Sequence, residues 1–437
     1  MPPRRPQPRR QAGPPARRQP NPGRETPLVT LDISAMTYGG YGVAQHNQHT
    51  VYVPYAIEGE RITARLLPPL KGTHYAEGAA FISISRDRVR PQCGHFGDCW
   101  GCQWQHIAYD AQLLIKFDVV AQQLQKHGRM SDELLGAALQ PVIAAPQAWG
   151  YNYHATFVPL PDGRLALPRR DDTPTPIELC HTIHSDLQAL AEALVLDFNG
   201  LKHLSLHRGS DGATMTVLHM ASEDLPELEA DLPTSVNVLL PDREPLNLFG
   251  ESLVRYEVAG RWLRATAGAF FRPHVAMLPA LAQEVLFALD LRGSEHVLDL
   301  YAGVGLFSAF MAPHAEVVTL VESYPPAATD AEENLKEYDN VDIVEGSVGE
   351  ILENMIDSGA DYQAAVVDPP ARGIAAEDMA LLTRLAPPTI VYVSSNPVSF
   401  ARDALALAQA GYSLARVQPL DMSPQTSYAD LVARFVR

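Results

Sequence analysis

The spacing of apolar residues changes period along the chain. Residues 1–26 hold almost no apolar side chains and are rich in Pro, Arg and Gln. Such a stretch cannot bury a core and is expected to stay disordered. From 27 to 88 the pattern alternates: VTLDISAM, TVYVPYAI and ERITARLL, with TYGGYG as a turn and Gly39, Gly40, Gly42 and Gly59 as punctuation. Period two over short runs predicts strands, and strands at this spacing predict a small β-barrel of the oligonucleotide-binding type. Over 107–127 the period becomes helical, with Leu113, Leu114, Phe117, Val120 and Leu124 on one face and Gly128 as a stop.

From 149 to about 285 the pattern mixes. HATFVPL, LSLHRG, ATMTVLHM and SVNVLL read as strands, and SDLQALAEALVLDF reads as a helix. From about residue 290 strands and helices alternate. Strands are expected at 296–300, 316–321, 341–345, 364–367, 389–393 and 412–418, which is an α/β, doubly wound and largely parallel sheet. The domains expected are 27–88, 89–285 and 286–437, after a 1–26 tail.

Composition narrows the class. At 437 residues and 46% hydrophobic, the chain can bury two or three cores, and it lacks an apolar run near the length of a membrane span. No apolar segment follows the basic N-terminus, so a cytoplasmic protein without membrane contact is expected. Seven arginines fall within 1–26, against one acid, Glu25. The remainder carries 27 basic and 50 acidic side chains, a net of −23. Such a surface repels phosphate backbones unless its basic groups cluster.

The chemistry concentrates where the expected parallel strands end, because ligands in open parallel sheets sit beyond the carboxyl ends of the strands. VLDLYAGVGLFS, residues 297–308, reads as strand, glycine turn, helix. Gly303 and Gly305 let backbone approach a ligand, and Tyr301 stands at the strand's exit. The next strand ends in Glu322, where a carboxylate can take both hydroxyls of a ribose. No GxGxxG is present. The third strand leads to Gly346 and Ser347. The fourth ends in Asp368-Pro369-Pro370-Ala371-Arg372, and the fifth in Ser394-Ser395-Asn396-Pro397. One helical crossover separates Asp368 from Ser395, so they can face one site.

The four cysteines are Cys93, Cys99 and Cys102 in CGHFGDCWGC, and Cys180 in IELCHTIH. In a reducing compartment such a set reads as ligands for one tetrahedral zinc or a [4Fe–4S] cluster, and spacing does not separate the two.

Over residues 27–437 the chain resembles the S-adenosylmethionine-dependent RNA uracil-C5 methyltransferases. The matches are the barrel, which resembles a TRAM domain, the CxxxxxCxxC with its later Cys, AGVG, DPP, the S-S-N-P loop, and the segment DMSPQTSYAD. The resemblance implies a Rossmann-like class I methyltransferase domain behind the N-terminal barrel and a central α+β iron–sulfur domain. It implies a [4Fe–4S] cluster on Cys93, Cys99, Cys102 and Cys180. It implies S-adenosyl-L-methionine at Tyr301, Gly303, Glu322, Ser347 and Asp368, rRNA or tRNA as partner, and a monomer. Ser395 falls on the nucleophile and Asp430 on the general base. Arg272, in Phe270-Phe271-Arg272-Pro273-His274, falls on a glutamine that helps to hold cofactor and base.

Three of those positions depart from the family. Its nucleophile is a cysteine, whose thiolate adds to uracil C6 so that C5 can attack the sulfonium methyl. Here Ser395 stands in its place, and the loop holds no His or Lys to activate a hydroxyl. The base is one methylene shorter at Asp430. Tyr151-Asn152-Tyr153-His154 lacks two cations of the family's segment, and the arginine expected after the Pro-Pro is Ala371, with Arg372 displaced by one. Three readings follow: an RNA methyltransferase, a relative that binds RNA or S-adenosylmethionine without catalysis, or an iron–sulfur scaffold.

Overall fold

The structure is a computed structural model that describes residues 28–437, apart from 100, 161, 168–173, 177–178, 195–199, 224, 226–233 and 242–244. The Arg- and Pro-rich stretch 1–26 lies outside the described residues.

The N-terminal alternation becomes one six-stranded sheet of β1 (Leu28–Asp32), β2 (Ala35–Thr37), β3 (Tyr41–His46), β4 (His49–Pro54), β5 (Arg61–Leu66) and β6 (His74–Ser83), in the order β1-β5-β6-β4-β3-β2. Leu31, Ala44, Val51, Val53, Ile62 and Ala64 form its core, and β1 also touches β3. Two of these strands, β3 and β6, were not marked by the sequence pattern. Helices α1 (Tyr109–Gly128) and α2 (Asp132–Ala138) follow. Ser131 caps α2 by accepting the Leu134 N–H, and Arg129 in the left-handed region ends α1 after Gly128.

The central sheet holds β7 (His154–Pro159), β8 (Leu165–Leu167), β9 (Thr175–Pro176), β10 (Leu201–Arg208), β11 (Thr214–Met220), β12 (Ser235–Leu239) and β13 (Pro245–Phe249). The helix α3 (Ser185–Ala193) packs on β10 through Leu187 and Leu190. The hairpin β14 (Leu253–Val258) and β15 (Arg261–Thr266) leads to α4 (Leu278–Leu289).

The C-terminal sheet is built from β16 (His296–Leu300), β17 (Val317–Glu322), β18 (Val341–Glu345), β19 (Ala364–Val367), β20 (Thr389–Ser394), β21 (Ser413–Leu420) and β22 (Asp430–Val436), in the order β18-β17-β16-β19-β20-β22-β21. Helices α5 (Leu306–Met311), α6 (Pro325–Leu335), α7 (Val348–Asp357), α8 (Ala376–Leu385) and α9 (Pro397–Gln409) connect its strands. Val297, Leu298 and Leu300 are all wholly buried, the mark of a strand covered on both faces.

Two findings depart from the pattern reading. First, β22 was not expected. It runs antiparallel between β20 and β21, so the five parallel strands are completed by an antiparallel pair. Second, α1 and α2 fall within the 89–285 stretch but pack on the C-terminal layer. The helix α1 lies along α9, and Val120, Leu124, Leu135 and Leu139 share a core with Leu298, Leu300 and Phe400. No helix among the described residues is long and apolar enough to cross a membrane.

Candidate functional site

The glycine loop after β16 owes its shape to three left-handed residues: Tyr301 at φ 60°, Gly303 at 57° and Gly305 at 84°. The two glycines serve different ends. A Cβ on Gly305 would meet Leu335 Cδ1 at 2.9 Å, so its absence lets α6 close on the loop. A Cβ on Gly303 would meet only the Phe270 carbonyl oxygen at 4.0 Å, so its backbone borders open space.

Beside it, the Glu322 carboxylate ends β17. One oxygen accepts the Gly303 N–H at 2.8 Å, and the other accepts the Ser323 and Tyr324 N–H groups at 2.7 Å each. Charge-assisted bonds from three backbone donors fix both the carboxylate and the loop. The Ser347 hydroxyl caps α7 by accepting the Glu350 N–H. The Tyr301 hydroxyl turns to Asp378, at 3.1 Å, and burial with that carboxylate beside it raises its phenol well above the ordinary range.

Under the loop lies Asp299, wholly buried. Ser308 donates to one of its oxygens at 2.7 Å, while the other has no partner. Burial pushes its carboxyl up to about 7, with Asp368 and Glu322 adding to the rise and Ser308 opposing it. The sequence places Asp299 on the strand, but an acid inside an apolar run carries no signal of its partner.

The structure brings Asp368, Arg272 and Asp430 together. Asp368 follows β19, and its two oxygens accept the two terminal nitrogens of Arg272 at 2.7 Å each. Arg272 Nε reaches Asp430 Oδ2 at 3.5 Å. The fork is buried: the Arg272, Asp368 and Asp430 side chains are 9%, 15% and 8% exposed. Burial alone would lower the Arg272 pKa, but its two carboxylates hold the guanidinium firmly charged. Burial pushes the Asp430 carboxyl up to about 6, Arg272 holding it down and Asp368 pushing it up. Arg272 was assigned to cofactor by position; its guanidinium is spent on carboxylates.

Ser395 follows the Ser394–Leu431 rung at the end of β20, on the side of Asp430. It is exposed and has no hydrogen-bond partner among the described residues. Its neighbours are structural: Ser394 Oγ accepts the Asn396 N–H, and Asn396 caps α9 and donates to the Ala371 carbonyl. Two aromatics border the site without any mark in the pattern. Phe270 is 68% exposed beside Gly303, and Tyr428 is 40% exposed, edge-on to Tyr38 with ring centroids 6.0 Å apart. Tyr38 comes from the N-terminal sheet's β2–β3 turn, and burial, with Tyr428 and Asp430 adding, raises its phenol.

Cys93, Cys99, Cys102 and Cys180 are free thiols around one cavity of about 210 Å³. Burial pushes Cys102 up to about 12, and the other three thiols add to the rise while Gln105 opposes it. Among the described residues, no three His, Cys, Asp or Glu side chains converge closely enough to hold one metal ion.

Comparison with known proteins bears on this arrangement. No family model matches the chain. A protein named uncharacterized RNA methyltransferase from Halalkalibacterium halodurans is 28% identical over 456 residues, spanning 95% of this chain and 98% of its own. One of the same name from Streptomyces avermitilis is 28% identical over 421 residues, spanning 92% and 96%. Among solved structures, a Pyrococcus abyssi tRNA (uracil-54, C5)-methyltransferase in complex with S-adenosyl-L-homocysteine superposes with a TM-score of 0.68 at 20% identity, covering 93% of this chain and 100% of that one. At that identity the likeness is one of fold.

Proposed function

We propose that this chain is an S-adenosylmethionine-dependent RNA methyltransferase acting on rRNA or tRNA. The observation that carries the reading is the edge formed by Gly303, Glu322 and Asp368. A glycine backbone borders open space, and a carboxylate locked by three N–H donors sits at the end of the next strand. Glu322 Oε1 already takes two backbone N–H groups and Oε2 one, so the acceptor site left on Oε2 suits a ribose hydroxyl, and Asp368, at the exit of β19, is read as a further contact of the same ligand. The names of the full-length relatives support RNA as acceptor, and the P. abyssi complex supports a cofactor of this class.

S-adenosylmethionine supplies the methyl group; the chain's own residues decide what can accept it. For uracil C5, a nucleophile must first add to C6. A hydroxyl has far weaker acidity than a thiol and needs a base bonded to it. Ser395 has none, and the nearest acid by role, Asp430, is tied to Arg272. Transfer is therefore read as going to an atom that is nucleophilic without an adduct, a ring nitrogen or a ribose oxygen, with Asp430 taking the proton which that atom loses as it gains the methyl group.

The four cysteines are read as holding a [4Fe–4S] cluster rather than zinc. A cluster sets each thiolate on a different iron, so its ligands stand further apart than four on one ion. All four thiols line one cavity, as the ligands of one group would. Protein purified without oxygen should be brown and contain iron and sulfide; a colourless protein containing zinc would remove the cluster.

The unassisted Ser395 also favours a second reading, a protein that binds cofactor and RNA without transfer. Titration with S-adenosylmethionine, followed by tritiated-methyl transfer to unmodified bulk RNA, separates the two. Binding with transfer supports the enzyme. Binding without transfer supports the second reading, and no binding sinks both.

A further inference from the structure

The turn over 421–429 joins β21 to β22 and ends at Asp430, which pairs with Leu420 in the rung next to the turn. That rung is the last of the ladder before a long turn, so something must hold the turn if Asp430 is to keep its place. The holding groups come from far upstream. Gln425 is 4% exposed, and its φ of 68° lies in the left-handed region that disfavours a side chain. Its carbonyl accepts the N–H groups of Gln103 and Trp104 at 3.1 and 3.0 Å. Its own N–H donates to Gln112 Oε1 at 3.0 Å, and its side-chain oxygen accepts Gln112 Nε2 at 3.0 Å.

Gln112 is wholly buried on α1, and the same Nε2 also reaches the carbonyls of Trp104 and Ile107 at 3.2 and 2.9 Å. Gln103 Oε1 accepts the Ser427 N–H at 3.2 Å, and the Tyr151 hydroxyl donates to the Pro424 carbonyl at 2.9 Å. At the turn's start, buried Lys116 reaches Asp421 at 2.5 Å and the Ser423 carbonyl at 3.0 Å.

From this geometry we infer that Gln112 and Gln103 are positioning residues: the Gln112 amide pins Gln425 in its strained conformation, the Gln103 side chain holds Ser427, and together they fix Tyr428 and Asp430 at the mouth of the site. The inference rests on the methyltransferase reading for its catalytic meaning, but the pin itself is a property of the turn. Ordinary core satisfaction explains each buried amide singly. It does not explain why every bond made by one strained backbone goes to residues more than three hundred positions away in the chain, on the segment that carries the proposed base.

The test uses the full chain with Gln112→Met, which keeps the volume and removes the bonds, and Gln103→Ala, a milder variant that folds if the first does not. Two quantities are read. Hydrogen exchange followed by mass spectrometry should show the 421–430 peptide exchanging at least tenfold faster, with 296–322 unchanged. Methyl transfer should lose at least tenfold in kcat, with the S-adenosylmethionine Kd within twofold and little change in KM for RNA, as expected when an interaction made only in the transition state is weakened. Unchanged exchange over 421–430 in both variants would overturn the inference, whatever the activity. Faster exchange with wild-type kcat would overturn it too. Faster exchange in a chain whose wild type transfers no methyl at all would support the pin and sink the methyltransferase reading.

Discussion

The proposed cofactor edge and the proposed acceptor corner sit beside each other on one sheet and are built in different ways. At the edge, Gly303 and Glu322 hold each other locally. The loop after β16 is shaped by its own glycines, and Glu322 is held by the loop it faces and by its two chain neighbours. At the corner, every part is borrowed. Asp430 depends on Arg272 from before α4 and on a turn tied to α1, and Tyr428 beside it packs edge-on to Tyr38 of the N-terminal sheet's β2–β3 turn. A strand-end carboxylate with backbone donors survives sequence change easily. A carboxylate placed by distant side chains can be retuned by altering any of them.

Arg272 joins the two regions, and breaking it gives the largest expected effect. Arg272→Met leaves Asp368 and Asp430 buried without their cation and should destabilise the fold by about 3–5 kcal/mol. A fall in Tm near that of a silent surface change would show that the fork is slack. Next comes the edge alone. Glu322→Ala should weaken S-adenosylmethionine binding about 30-fold by calorimetry, close to 2 kcal/mol for one lost charge-assisted bond. Retained affinity would move the cofactor away from this edge.

The corner alone is sharpened by pH. With its carboxyl pushed up to about 6, Asp430 acts as a base only when ionised. Transfer should fall about tenfold per unit below that value and level off above it. Stability runs the other way. A carboxyl whose folded value lies above its ordinary one stabilises the fold below the ordinary value, and that contribution is lost as pH rises through about 6. The Tm difference between wild type and Asp430→Asn should change across that window; a flat difference would deny the shift. Smallest is Ser395→Ala, expected to leave transfer within about twofold, because an exposed hydroxyl without a base is not the nucleophile. A loss of about 100-fold or more would restore covalent catalysis by serine.

What could be read from the chain follows the same division. The strands ending at Leu300, Glu322 and Val367 were legible because buried parallel strands are continuous apolar runs and their exits carry glycine or acid. The strand β22 was not, since DLVARFV could pair with any edge and nothing local says that it enters between two others. The helix α1 announced its apolar face but not which sheet it would cover. The Arg272 fork was illegible in principle. The residue could be assigned a place by resemblance, yet its partners at 368 and 430 are chosen only when the sheet has formed. Of the Gln112–Gln425 pair the sequence gives no sign, because amides have no period.

The pinned turn also sets an order in time. Its bonds close a loop of some three hundred residues, and although loop entropy grows only as the logarithm of length, contacts so distant in sequence form late in folding. A refolding chain should therefore pass through a stage that already carries the cofactor edge but not the acceptor corner, and regain ligand affinity before it regains turnover.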